Sequence, residues 1–117
     1  MDEALQFDSS FFGELCSELG NEDAAEVLQA FLADIPRKMA VMTSDVADRP
    51  SIKRAAHSMK SSAATFGFVG LSALARDLES GVEGMSAPQV RDCVKTLGEA
   101  FEQTAEFARK NLLQLAY

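Results

Sequence analysis

A single histidine, His57, stands in this chain, inside a segment from Arg49 to Arg76 that carries five cations (Arg49, Lys53, Arg54, Lys60, Arg76) and no acid. A neutral, exposed imidazole is a competent nucleophile near pH 7. Lys60 and Ser61 lie three and four positions on, which on a helix makes them surface neighbours of the ring. The Lys60 ammonium can offset the charge of an anion carried on that ring. Ser61 and Ala64 are small and leave the approach open, while Lys53 and Arg54 stand one turn earlier. A lone helical histidine is ordinarily just a solvated side chain. Here the adjacent lysine, the small neighbours and the acid-free surroundings point to an encounter with something anionic: a phosphoryl group, or an acidic pocket on a partner.

Other chemistries are excluded by count. One histidine cannot build a two-histidine zinc helix or a histidine-rich metal bundle. Cys16 and Cys93 lie 77 positions apart with no metal-ligand spacing, so they read as small apolar side chains. No phosphate-cradling GxxxxGK[ST] motif occurs. A formal charge of -7 argues against nucleic acid, which needs a basic face. No apolar run exceeds four residues, as at Met39 to Met42, which is far too short to span a membrane. Met1-Asp2-Glu3 lacks the features of a signal peptide, so a cytoplasmic protein is expected, and 117 residues suggest one domain over 1–117.

The elements that must position His57 read as helices throughout. A short one, roughly Ser9 to Leu19, presents Phe11, Phe12, Leu15 and Leu19. The next carries Leu28, Leu32, Ile35, Met39, Met42 and Val46 on one face. Asn21 is its expected N-cap, and Pro36 should bend it without breaking its phase. The histidine helix should start near Pro50 and end at Gly67, with Ile52, Ala56, Met59, Ala63 and Phe66 facing inward. At about 100° per residue His57 then points roughly 140° away from that stripe, into solvent. A further stripe runs Leu71, Leu74, Ala75, Leu78, Val82, closed by Gly81 or Gly84. The last runs from Val90 to Leu115 behind a capping box of Ser86 and Gln89, with Pro88 in the first turn. The expected fold is all-α: an antiparallel up-down four-helix bundle with a short N-terminal capping helix.

The stretch from His57 to Gly67, with Lys60, Ser61, Ser62, Ala63 and Ala64 between, followed by Leu71, Leu74 and Leu78-Glu79, resembles the signature of histidine-containing phosphotransfer (HPt) domains. The Phe31-Leu32 segment before Pro36 is similar to that family's first long helix. The resemblance implies a histidine phosphotransfer protein of two-component signalling. His57 would accept a phosphoryl group from a receiver-domain phospho-aspartate and pass it to another receiver in a multistep phosphorelay. Lys60 would steady the phosphoryl oxygens, assisted by Ser61. Gly67 would end the helix and allow close packing, with Ala64 keeping access open. Ser61 stands where the family usually has glycine. Glu79 would be the polar side chain facing the histidine from the next helix.

The resemblance further implies a phosphoryl carrier rather than a kinase, with no cofactor or metal of its own; Mg²⁺ would sit on the partner receiver. Partners would be response-regulator receiver domains and a hybrid histidine kinase. Docking would use Phe11 or Phe12 with Lys53, Arg54 and Glu79, on a monomer. The competing reading is a helical adaptor that binds a signalling partner without being phosphorylated.

Overall fold

A computed structural model describes residues 6–44 and 47–113. It consists of five α-helices: α1 (Ser9–Leu19), α2 (Asn21–Thr43), α3 (Arg49–Thr65), α4 (Val69–Gly81) and α5 (Ala87–Ala108). A short 3-10 turn, Val82–Gly84, follows α4, and a π-helical turn, Arg109–Leu113, follows α5. No strand occurs among the described residues.

The helix boundaries are set by local chemistry. The Asp8 carboxylate accepts from the backbone N–H of Ser10 at 3.0 Å and from its hydroxyl at 2.6 Å, which starts α1. Asp48 does the same for α3, accepting from Ser51 N–H at 2.8 Å. The Ser86–Gln89 capping box forms in both directions, at 2.8 and 3.3 Å. The start of α2 differs from expectation. Asn21 is its first helical residue, and the flanking position belongs to Gly20, whose φ of 86° has no side-chain cap. Gly20 serves both helices at once: its N–H bonds back to the Cys16 carbonyl and its own carbonyl accepts from Ala24. Glu22 and Asp23 in the first turn then complement the dipole. Pro36 lies within α2, and the helix continues through it. Val46 and Leu115, expected on apolar stripes, lie outside the described residues.

The inward stripes meet in one core. Ile52, Ala56, Met59, Ala63 and Phe66 are all buried, as are Leu28, Leu32 and Ile35 of α2 and Val94, Leu97 and Phe101 of α5. Phe31 packs its ring 5.0 Å from Phe66 and 5.8 Å from Phe68. The most extensive helix contact is α3 on α4; α2 also packs on α3 and α5, α4 on α5, and α1 on α2. The turn between α3 and α4 hinges on Gly67, at φ 84°. A Cβ there would stand 2.2 Å from the Asp8 carbonyl oxygen. Around this close approach Asp8 N–H donates to the Gly67 carbonyl at 2.8 Å and Gly70 N–H to the Gln6 carbonyl at 3.3 Å, so the segment leading into α1 is clipped onto the turn.

Candidate functional site

Burying the α3 stripe turns the opposite face of that helix outward, and His57 emerges with its side chain 59% exposed. On α4, Leu71, Ala75 and Leu78 are buried, which sets Glu79 at the α3 boundary, only 16% exposed. Its carboxylate serves two partners. Oε2 lies 2.5 Å from His57 Nδ1, and Oε1 accepts from Lys60 Nζ at 2.7 Å. The Lys60 hydrogen bond, reinforced by His57, holds the Glu79 carboxyl below its ordinary range against the opposing effect of burial. An ionised carboxylate only accepts hydrogen bonds, so the atom facing it, Nδ1, carries the proton. In the neutral ring the lone pair then belongs to Nε2, which no hydrogen bond reaches among the described residues. An oriented imidazole of this kind can attack an electrophile in line with Nε2.

Lys60 is itself fixed from two sides. Its ammonium is on Glu79, and its backbone carbonyl accepts from the Ser72 hydroxyl of α4 at 2.9 Å. Ser61 and Ala64 are exposed on the same side of α3. Gly67 lies ten residues beyond His57, about 15 Å along the helix, and shapes the turn rather than the site. Phe11 is 45% exposed while Phe12 is buried. Phe11 sits against Gly67, its Cβ 3.3 Å from where a glycine Cβ would project, and so belongs to the far end of α3.

Lys53 and Arg54 line a shallow depression with Pro50, His57, Glu79 and Glu83. Their situations differ. Lys53 Nζ is 3.3 Å from Glu83 Oε1, whereas Arg54 Nη2 donates to the Ser51 hydroxyl at 3.2 Å. The acid-free run of sequence is therefore not acid-free in space: Glu79 and Glu83 bring carboxylates to two of its cations. Sequence reasoning missed Glu83 and Ser72. For Glu83 a signal existed, since it stands four residues after Glu79, but reading it requires knowing how α4 lies against α3. Among the described residues no three His, Cys, Asp or Glu side chains are grouped as a metal site, and no helix is long and apolar enough to cross a membrane. Cys16 and Cys93 are both free and half-buried.

Comparison with protein families finds that the Hpt domain model matches residues 26–114. The chain belongs to the Hpt domain family. Membership carries a role in phosphotransfer within two-component and phosphorelay systems, where Hpt domains interact with receiver domains and kinases. The match covers α3, α4 and α5 and α2 from its sixth residue on, so His57, Lys60 and Glu79 fall within the Hpt region while α1 precedes it. No curated protein and no solved structure matches this Hpt chain.

Proposed function

We propose that His57 is the phospho-accepting residue of a phosphorelay carrier, taking a phosphoryl group from a receiver-domain phospho-aspartate and returning it to another receiver. The Nε2 lone pair attacks phosphorus, the P–O bond to the aspartate breaks, and that carboxylate leaves with the bonding pair. The Nδ1 proton stays in place throughout. The ring becomes a phosphoimidazolium whose positive charge faces Glu79, so the carboxylate that selects the tautomer also stabilises the product. Onward transfer reverses these events: the P–N bond breaks and a neutral imidazole departs, a far better leaving group than an imidazolate. Lys60, held beside the ring by Glu79, supplies a cation to the phosphoryl oxygens, and exposed Ser61 offers a hydroxyl one turn beyond His57.

The observation that carries this reading is the Glu79 carboxylate on Nδ1, which leaves Nε2 as the exposed nucleophile. The architecture supports it. Lys53 meets Glu83, His57 meets Glu79 and Lys60 meets Ser72, a descending order that suits antiparallel α3 and α4. With α2 and α5 completing the ring of contacts, the arrangement fits an up-down four-helix bundle with α1 as its cap. The carrier works as a cytoplasmic monomer, and Mg²⁺ resides on the receiver. Incubation with a panel of phosphorylated receivers tests the proposal. Acid-labile, base-stable label should appear on His57 and vanish in His57→Gln, whose melting temperature stays near wild type because the side chain is exposed. Label that persists in His57→Gln, or none on wild type, refutes it; partner binding without label would favour the adaptor.

A further inference from the structure

Two ion pairs flank His57, one on each side along α3. Lys60, three residues after it, is bound to Glu79, and Lys53, four residues before it, is bound to Glu83. Both acids come from α4 and the 3-10 turn behind it, although α3 itself contains none. Arg54 is different. Among the described residues no carboxylate lies within ion-pair distance of its guanidinium; it is held by the Ser51 hydroxyl and feels Asp48 only as a more distant charge. The Lys60–Glu79 and Lys53–Glu83 pairs therefore cancel, and the one positive charge left on offer at the depression beside His57 is Arg54.

We infer that Glu83 is a specificity-determining residue of this site: by neutralising Lys53 it leaves Arg54 as the cation that a docking partner must match with an anion. This rests on the phosphotransfer reading above, because the partner is the protein that presents the phosphoryl group. Any such donor surface is anionic at the reacting atom, so an unmasked Lys53 beside His57 would attract phosphorylated partners indiscriminately. Placing a carboxylate on that lysine removes part of the general attraction and keeps one positioned charge, and discrimination of this kind relies on what is withheld as much as on what is offered. The Glu83 side chain is 70% exposed and bonds nothing but Lys53 among the described residues. Its effect on a partner is electrostatic and not a consequence of fold support.

Transfer kinetics from a panel of phosphorylated receivers to the full chain test this, with Glu83→Gln and Arg54→Gln compared at low and moderate salt. Glu83→Gln should raise kcat/KM roughly three- to tenfold. The gain should be largest for the poorest donors, so the spread between best and worst receivers narrows, and the salt dependence should steepen. Arg54→Gln should lower kcat/KM roughly tenfold, chiefly through KM, with Arg54→Lys recovering most of the loss. The lifetime of isolated phosphohistidine should be unchanged in all three variants. A Glu83→Gln protein that is slower, or whose receiver ranking and salt dependence match wild type, overturns the inference. So does a shortened phosphohistidine lifetime in Arg54→Gln, which would assign Arg54 to the phosphoryl group itself. No label on wild-type His57 from any receiver sinks the phosphotransfer reading and this inference together; labelled wild type with unresponsive variants sinks the inference alone.

Discussion

Replacing Glu79 by glutamine preserves shape and removes one acceptor, and the consequence can be worked out atom by atom. The carboxylate accepts at both oxygens, from His57 Nδ1 at 2.5 Å and from Lys60 Nζ at 2.7 Å. A glutamine amide has one oxygen for those two donors. The Lys60 ammonium can never accept, whereas a neutral imidazole can exchange donor and acceptor roles between its two nitrogens. The amide oxygen therefore turns to Lys60, because the charge-assisted bond is the stronger one, and the amide NH₂ faces His57. Nδ1 must then accept, its proton moves to Nε2, and the nucleophilic lone pair points at the amide instead of at solvent. Hydrogen bonds to charged groups differ from neutral ones by enough to shift the tautomer population roughly 10- to 100-fold. Phosphoryl acceptance by Glu79→Gln should fall by about that factor at fixed receiver concentration, with helical content unchanged. The assay is single-turnover transfer of label from a phosphorylated receiver, paired with ¹⁵N chemical shifts of the imidazole, which report the tautomer directly. An acceptance rate within twofold of wild type, or a ring still protonated on Nδ1, refutes the reasoning.

Lys60→Ala should slow transfer roughly tenfold or more without unfolding the bundle; equal transfer rates and phosphohistidine lifetimes would remove Lys60 from the site. Gly67→Ala places a Cβ 2.2 Å from the Asp8 carbonyl oxygen at a φ of 84°. Left-handed strain of about 1–2 kcal/mol and two weakened backbone bonds of about 1 kcal/mol each give a loss of about 3–4 kcal/mol, measurable by urea denaturation; a loss below about 1 kcal/mol would show that the Asp8 segment yields freely. Asp48 is held below the ordinary carboxylate range by the Ser51 hydroxyl and N–H, so its contribution to stability is present above the unfolded value near about pH 4 and is lost as the pH falls through the depressed folded value. The melting-temperature gap between wild type and Asp48→Ala should accordingly hold steady above roughly pH 5 and close below about pH 4; a gap that persists unchanged into acid would contradict an ionised cap.

How much of this was legible depends on how far each cause reaches along the chain. The exposure of His57 follows from the α3 stripe alone, since five inward residues within fifteen positions orient the helix. Glu79 is reachable through the family pattern as the polar side chain facing the histidine, and it stands there; the ring atom it meets is not. Its placement on Nδ1 depends on the rotation of α4, which Leu71, Ala75 and Leu78 set against α3. The N-cap of α2 was misplaced by one residue because Asn21 has the right chemistry, while Gly20 has the backbone freedom that joining two helices without a loop demands. Ser72, an unremarkable polar residue in sequence, gains a purpose only where the Lys60 carbonyl comes within its reach.

The sequence by itself determined which segments are helices, where most begin and end, and which side of α3 presents the histidine. Those outcomes rest on interactions within a turn or two of chain. Only the tertiary structure decided the charge around that histidine. Coulomb's law depends on distance in space, and the acids that neutralise Lys60 and Lys53 stand 19 and 30 residues away in sequence. The acid-free run of the chain thus became, once α4 folded against it, a site of nearly balanced charge. What distinguishes that site is one oriented imidazole and one cation without a carboxylate.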